Sequence, residues 1–240
     1  SGLYLGNGSF GFTYVALENS AANFSAGIDA ADFNNDGLPD LFFSGNMVDN
    51  QLYLNQGNWK FKNISETAGI QGADRWSSGV AVVDINNDGW PDIYVCATTY
   101  EPGTRRANQL FVNQGAGHGD LPRFKEMAEA YGIADTSYTT TAAFFDYDND
   151  GDLDLYLAVN QSDPVLAPKG YLYKVAPRAE VNTDHLYENR FDSINGHPVF
   201  YEVTRQAGIL RGGFSLGMNV VAVWERGRLV PVTPDTILAD

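Results

Sequence analysis

Three aspartate-rich loops of nine residues recur between short apolar runs, and they constrain the fold more than any other feature of this sequence. They span residues 32–40, 84–92 and 146–154. Positions 1, 5 and 9 carry Asp in every copy, position 3 carries Asn or Asp, and position 6 carries Gly. The flanking runs, such as residues 79–83 and 93–96, are rich in β-branched and aromatic residues, which predicts strand, loop, strand in each copy.

Oxygen-bearing side chains at alternate loop positions can converge on one small cation where a glycine lets the chain turn sharply. We therefore predict a Ca²⁺ site in each loop, with side-chain ligands at positions 1, 3, 5 and 9 and a backbone carbonyl at position 7. The predicted ligands are Asp32, Asn34, Asp36, Leu38 and Asp40; Asp84, Asn86, Asp88, Trp90 and Asp92; and Asp146, Asp148, Asp150, Asp152 and Asp154. The third loop offers four carboxylates at positions 1, 3, 5 and 9, so we expect it to bind calcium most tightly.

Two other structures share part of this loop pattern. An EF-hand loop begins in the same way, but it requires a bidentate Glu at position 12 and a helix on either side. Position 12 here is Phe43, Val95 or Leu157, which excludes the EF-hand. Metal-free Asx turns also favour Asp, Asn and Gly, and they remain open as an alternative.

The repeat extends beyond the loops and predicts an all-β chain. A second motif follows each loop at residues 51–57, 109–115 and 185–189, and a third runs from Phe61 to Ile70, with counterparts at 124–133 and 200–209. Each unit of roughly 50 to 75 residues thus holds about four short strands, the size of one propeller blade. We predict a partial or incomplete β-propeller ring of about 3–4 blades, each of four short antiparallel strands with a calcium loop between strands.

The segments 31–41, 83–94 and 144–156 resemble the FG-GAP or VCBS repeats of integrin-like β-propellers, in particular bacterial secreted proteins that combine them with an ASPIC/UnbV-type region. The resemblance covers residues 23–222. It implies calcium in each loop, a secreted or bacterial cell-surface location (outer membrane or extracellular), and no catalytic residues in the repeats. It does not specify a ligand.

The two ends depart from the repeat. Residues 3–8 look like the second motif of a blade whose loop is absent, and residues 214–223 look like the strand before a fourth loop. Residues 224–228 then read Trp-Glu-Arg-Gly-Arg, so no fourth calcium site is predicted. We assign residues 1–223 to the propeller repeats and residues 224–240 to an atypical C-terminal tail.

Composition narrows the function classes. The 30 acidic and 15 basic residues give a net charge of −15, which makes nucleic acid an unsuitable partner. Apolar runs are too short to span a membrane. The single cysteine, Cys96, lies in an apolar strand run, so we expect a buried core residue.

Catalytic motifs are absent from the sequence, so we expect a module that is not an enzyme. His118, His185 and His197 have no metal-site spacing, and no nucleophile elbow, P-loop or Rossmann fingerprint occurs. Candidate partner-binding segments are the insertions at 100–107, with Arg105 and Arg106, and at 161–184, with its basic residues and tyrosines. Trp90 could stack on a sugar or pack against the next blade.

We therefore expect a secreted or cell-surface binding or adhesion module, directed toward an unknown protein or a polysaccharide. The alternative is a non-catalytic or accessory part of a secreted carbohydrate-active enzyme.

Overall fold

The computed structural model describes residues 2–6, 12–17, 25–72, 74–98, 104–115, 121–160, 183–194, 196–209, 222–225 and 228–231. These residues are almost entirely in strands and turns. Helix within them is limited to α1 (Ser65–Ala68) and one 3₁₀ turn (Thr104–Arg106). The expectation of an all-β chain is confirmed.

Three four-stranded antiparallel sheets form the centre of the described structure. A two-stranded sheet of β1 (Gly2–Gly6) and β2 (Phe12–Ala16) precedes them. Sheet one contains β3 (Ser25–Ala31), β4 (Asp40–Gly45), β5 (Gln51–Asn55) and β6 (Phe61–Asn63). Sheet two contains β7 (Ser77–Val83), β8 (Asp92–Ala97), β9 (Gln109–Asn113) and β10 (Phe124–Glu126). Sheet three contains β11 (Thr139–Phe145), β12 (Asp154–Val159), β13 (His185–Asp192) and β14 (His197–Glu202).

Each aspartate-rich loop connects the first two strands of its sheet. The residue before the loop pairs with the Asp at loop position 9, as Ala31 pairs with Asp40, Val83 with Asp92 and Phe145 with Asp154. The strand, loop, strand order predicted from the apolar runs is therefore confirmed in all three copies. The second motif begins the third strand of each sheet, and the third motif begins at or within the fourth.

The apolar cores lie between neighbouring sheets, because alternate side chains of a strand point to opposite faces. In β8 the side chains of Ile93 and Val95 join the core shared with sheet one, whereas Tyr94 and Cys96 join the core shared with sheet three. All six residues of β8 are buried, which explains its continuous apolar run. Cys96 is fully buried, as expected, and burial raises the pKa of its thiol.

The first strands of the three sheets contact one another in sequence, β3 against β7 and β7 against β11. A Ser78 hydroxyl donates to the Thr139 carbonyl at 2.6 Å across the second of these contacts. Successive sheets that meet along their first strands are consistent with a partial propeller. The described residues do not form a closed ring.

Every unit ends in a helical turn closed by a glycine. Gly69, Gly132 and Gly208 have φ of 76°, 76° and 78°, the left-handed conformation that glycine adopts at least cost. A Cβ on Gly132 would lie 2.7 Å from the Phe200 carbonyl oxygen of the next sheet. The close backbone approach between sheets two and three, with the Phe200 amide donating to the Tyr131 carbonyl at 2.8 Å, therefore requires glycine there.

Several sequence predictions fall partly outside the described residues. The insertions at 100–107 and 161–184 are described only at 104–107 and 183–184. The boundary between residues 223 and 224 falls within β15 (Ala222–Glu225), which pairs with β16 (Arg228–Pro231). The assignment of 1–223 and 224–240 to separate units stays a prediction.

Candidate metal centres

The three loops share a strained backbone that their sequence explains. Position 4 is Asn in every copy, and Asn35, Asn87 and Asn149 have φ of 55°, 56° and 64°. Asn tolerates this left-handed region better than most residues. The glycines at position 6 have φ of 88°, 87° and 101°, and a Cβ there would meet nothing within 4 Å. The glycine is thus needed for its backbone conformation rather than for space.

The carboxylates at positions 1 and 5 hold this turn by accepting backbone N–H groups. In the first loop, Asp32 accepts from the amides of Asp36 at 3.0 Å and Gly37 at 2.6 Å, and Asp36 accepts from Leu38 at 2.8 Å. The same bonds recur in the other two loops, with lengths of 2.8–3.0 Å in the second and 3.1–3.2 Å in the third. Side-chain oxygens at positions 1 and 5 are therefore drawn to the inside of the turn.

The aspartate at position 9 is buried and joins the loop to its sheet. Asp92 is 0 % exposed; its Oδ2 accepts from the Ile85 amide at 3.0 Å and its Oδ1 from the Asn113 amide at 2.7 Å. Asp40 and Asp154 make the equivalent pairs of bonds. Each of these carboxylate oxygens keeps a further lone pair that could coordinate a cation.

An asparagine of the second motif fixes each loop from the opposite side, a role that we did not assign from the sequence. The amide groups of Asn55, Asn113 and Asn189 donate to the carbonyl at loop position 8, at 3.0, 3.2 and 3.1 Å. Asn113 also donates to the Phe33 carbonyl of the preceding loop at 3.0 Å. The recurrence of Asn at this place in all three second motifs was the available signal.

Carboxylates converge most closely in the third loop. Oxygens of Asp146, Asp148 and Asp154 all lie within 4.8 Å of one another, which one cation with oxygen ligands at 2.3–2.6 Å can bridge. In the first two loops position 3 is an amide, and Asn34 and Asn86 donate to the position 5 carboxylates at 3.0 and 2.8 Å. The Oδ1 atom of Asn34 is buried and has no hydrogen-bond partner among the described residues.

Position 7 differs among the copies. The Trp90 indole is half-buried, and it lies against the backbone of Gly115 at the end of β9, where a Cβ would be 3.2 Å from Nε1. Trp90 therefore packs on its own sheet. Asp152 brings a fifth carboxylate to the third loop, and its Oδ1 is buried without a hydrogen-bond partner in the described structure.

Burial and the proximity of other carboxylates disfavour the charged form of the aspartate at position 9 in each loop, which raises its pKa. Burial, together with the nearby Asp84 and Asp88, raises the pKa of Asp92 to about 7, although hydrogen bonds from Asn113 and Ile85 act in the opposite direction. The pKa of Asp40 and that of Asp154 rise to about 6, again mainly through burial. A divalent cation among such carboxylates would offset their repulsion and replace the hydration that burial removes.

The residues present fit a hard divalent cation. All candidate donor atoms are oxygens, which suit Ca²⁺, and the unpartnered Asn34 Oδ1 is an oxygen that a cation would satisfy. The hydrogen bonds within the loops are also those of Asx turns, so turn formation and cation binding share the same side chains. The metal-site and Asx-turn interpretations therefore differ only in whether a cation is also bound within the turn.

Loops one and two contact each other directly. The Asn35 side chain donates to the Gly89 carbonyl at 3.1 Å, and Phe33, at position 2 of loop one, packs edge-on against Phe124 of sheet two. An ion in either loop would therefore stabilise the junction between two sheets as well as its own turn.

No helix among the described residues is both long enough and apolar enough to cross a membrane.

Comparison with known proteins supports the repeat assignment. Residues 32–95 match the family of FG-GAP-like repeats. A curated relative, Cartilage acidic protein 1 of Mus musculus, is 28% identical over 154 residues, which is 63% of this chain and 22% of the mouse protein. The match thus spans about a fifth of that relative's length.

Proposed function

We propose that the protein is a calcium-stabilised, propeller-like binding module that acts outside the cell, and that each of its three aspartate-rich loops binds one Ca²⁺. The observation that carries this proposal is the convergence of the Asp146, Asp148 and Asp154 carboxylates within 4.8 Å. The ligands would be the fifteen residues named from the sequence, with position 7 contributing its carbonyl oxygen.

The role of the ion in this proposal is structural. Each loop joins the first two strands of a sheet. Its position 9 Asp accepts a hydrogen bond from a backbone amide of the third strand, that of Asn55, Asn113 or Asn189. A bound ion therefore connects three parts of one blade. The proposed function is binding or adhesion rather than catalysis, in keeping with the FG-GAP-like match.

The location and the ligand class are also part of the proposal. Extracellular calcium modules work at calcium concentrations of about 10⁻⁴–10⁻³ M, which are not available inside cells. We propose a secreted protein or one at a bacterial cell surface, as the resemblance to secreted proteins of the ASPIC/UnbV type implies, with a polysaccharide as ligand.

Calorimetric titration of calcium into chelator-treated protein tests the metal sites. We expect three ions per wild-type chain and two in each of the variants Asp36→Ala, Asp88→Ala and Asp150→Ala, because these exposed position 5 carboxylates each belong to one loop. The Asp150→Ala variant should lose the tightest site, since its loop has the most carboxylates.

Glu129→Ala is the matched control for these variants, because it removes one exposed negative charge outside the loops. It should keep three sites. Failure of the wild-type protein to bind calcium, or an unchanged stoichiometry in all three loop variants, would refute the proposal. If the third site proved weakest, the ranking of the loops would be wrong.

A further inference from the structure

Sheets one and two meet in the same way as sheets two and three at the sheet ends that lie opposite the aspartate-rich loops. The two junctions differ there in two residues. At the first junction Gly72 lies beside Gln109, and a Cβ on Gly72 would be 2.7 Å from the Gln109 Oε1. The repeat places Asp135 and His185 at the corresponding positions of the second junction. A blade junction can therefore form without this charged pair.

The Asp135–His185 pair is closely held. The Nδ1 atom of His185 is 2.6 Å from Asp135 Oδ2, and the side chains of these residues are 23% and 4% exposed. Asp135 Oδ2 also accepts from the Tyr187 hydroxyl at 2.6 Å, and Oδ1 from the Ser137 amide at 2.6 Å. Both oxygens of the carboxylate are thus hydrogen-bonded, and the contact at Nδ1 leaves the other imidazole nitrogen, Nε2, facing away from Asp135.

A pocket of about 420 Å³ opens beside this pair. Its lining includes His185, Tyr187 and Tyr138, together with Arg106 from the connection between β8 and β9. The Arg106 guanidinium lies over the Tyr138 ring, 4.3 Å from its centre, and its Nε donates to the Thr136 carbonyl. Two nitrogen donors that can carry positive charge therefore line one open pocket on a protein of net charge −15.

His185 is also favoured in its charged form. Burial would lower its pKa, but the hydrogen bond and charge of Asp135, with smaller effects of Glu202 and Asp184, raise it above the usual 6.5. Burial would raise the pKa of Asp135, yet hydrogen bonding and charge from His185, with bonds from Ser137 and Tyr187, lower it to about 2. The charges that face His185 are thus those of Asp135, Asp184, Glu202 and Arg106 across the pocket.

We propose that this pocket binds a carboxylate group, as carried by an acidic saccharide, between the Arg106 guanidinium and the His185 imidazolium. Arg matches a carboxylate with paired N–H donors, and His185 adds a third donor at Nε2. The aromatic surface of Tyr138, which lines the pocket, would give a sugar ring apolar contact. The proposal rests on the proposed function in that it names the ligand class of the binding module.

Imidazole NMR spectra of the calcium-saturated full chain test the site with D-glucuronate as the probe. The His185 signals are assigned by their loss in His185→Gln, a change that introduces the residue found at the equivalent positions 51 and 109. Glucuronate at pH 6 should shift the His185 signals saturably, whereas glucose at equal ionic strength should not. The shift should weaken as the pH rises above the folded pKa of His185, because the cation is then lost.

Two neighbouring arginines supply the matched comparison. Arg106→Gln should weaken glucuronate binding by about tenfold, since a charge-assisted pair is lost. Arg105→Gln removes the same charge from an exposed residue that is not among those lining the pocket, and it should change the affinity less than about twofold. Unfolding midpoints of all variants confirm that they are folded.

Several outcomes would overturn the proposal. They are an unchanged His185 signal in glucuronate, an equal loss of affinity in Arg105→Gln and Arg106→Gln, and a stronger response to sulfate than to glucuronate. If His185→Gln lowers the unfolding midpoint but glucuronate does not shift the wild-type His185 signals, the Asp135–His185 pair has a purely structural role. These results are independent of calcium stoichiometry, so either proposal can fail without the other.

Discussion

Replacement of Asp92 by alanine should lower the free energy of unfolding by about 2–6 kcal/mol even when calcium is absent. Asp92 is fully buried, and its two oxygens accept the amides of Ile85 and Asn113. Truncation would leave two buried N–H groups unpaired, each at a cost of about 1–3 kcal/mol. Asp92→Asn would not restore both bonds. Asparagine has an N–H₂ group in place of one carboxylate oxygen, and this donor would face a backbone N–H, which is also a donor. Urea unfolding in EDTA measures this effect.

Asp88→Ala is the control, because Asp88 belongs to the same loop but is exposed. It should reduce stability mainly in the presence of calcium. Equal losses for Asp88→Ala and Asp92→Ala in EDTA would contradict the structural role of position 9.

Replacement of Phe33 by alanine should lower the free energy of unfolding by about 3–5 kcal/mol, the usual range for a fully buried phenylalanine. Phe33 is 0 % exposed and lies in the core between sheets one and two, with its ring centre 5.9 Å from that of Phe124. The Phe33 carbonyl also accepts a hydrogen bond from the Asn113 side chain. Truncation would therefore leave a cavity at the place where a loop of one sheet contacts the next sheet.

Two further variants test this result in urea unfolding experiments, and both should lose less stability than Phe33→Ala. Phe33→Leu should lose less, because it leaves a smaller cavity. Tyr147, at the same loop position in the third copy, is only half-buried, so Tyr147→Ala should cost less than Phe33→Ala. The opposite order would show that the core between sheets one and two is not the main contribution of Phe33.

The repeat in the sequence was sufficient to predict the sheets because each unit carries the same local signals. Asp at positions 1 and 5 and Gly at position 6 determine the turn, and the apolar runs around them determine the first two strands. Position 9 was predicted only as a ligand, although Asp92 also caps two backbone amides. That role depends on Asn113, which lies in a different strand, and spacing alone does not show it.

The Asp135–His185 pair was not predicted, since 50 residues separate its members and neither belongs to a known catalytic or metal-binding motif. The three histidines were considered only for metal-site spacing. The available signal was a departure from the repeat, in which Gly72 and Gln109 become Asp135 and His185. Within a repeat protein, such substitutions mark positions that the blade itself does not require.

The thermal unfolding midpoint in EDTA, compared with midpoints in a calcium series, tests the central claim most directly. A ligand that binds only the folded state at 100 times its dissociation constant adds about 2.7 kcal/mol per site, or about 5–10 °C per site for a chain of this size. We predict a midpoint that rises with calcium and much less with magnesium. Equal midpoints in EDTA and calcium, for protein that metal analysis shows to be free of metal, would mean that the loops are Asx turns alone.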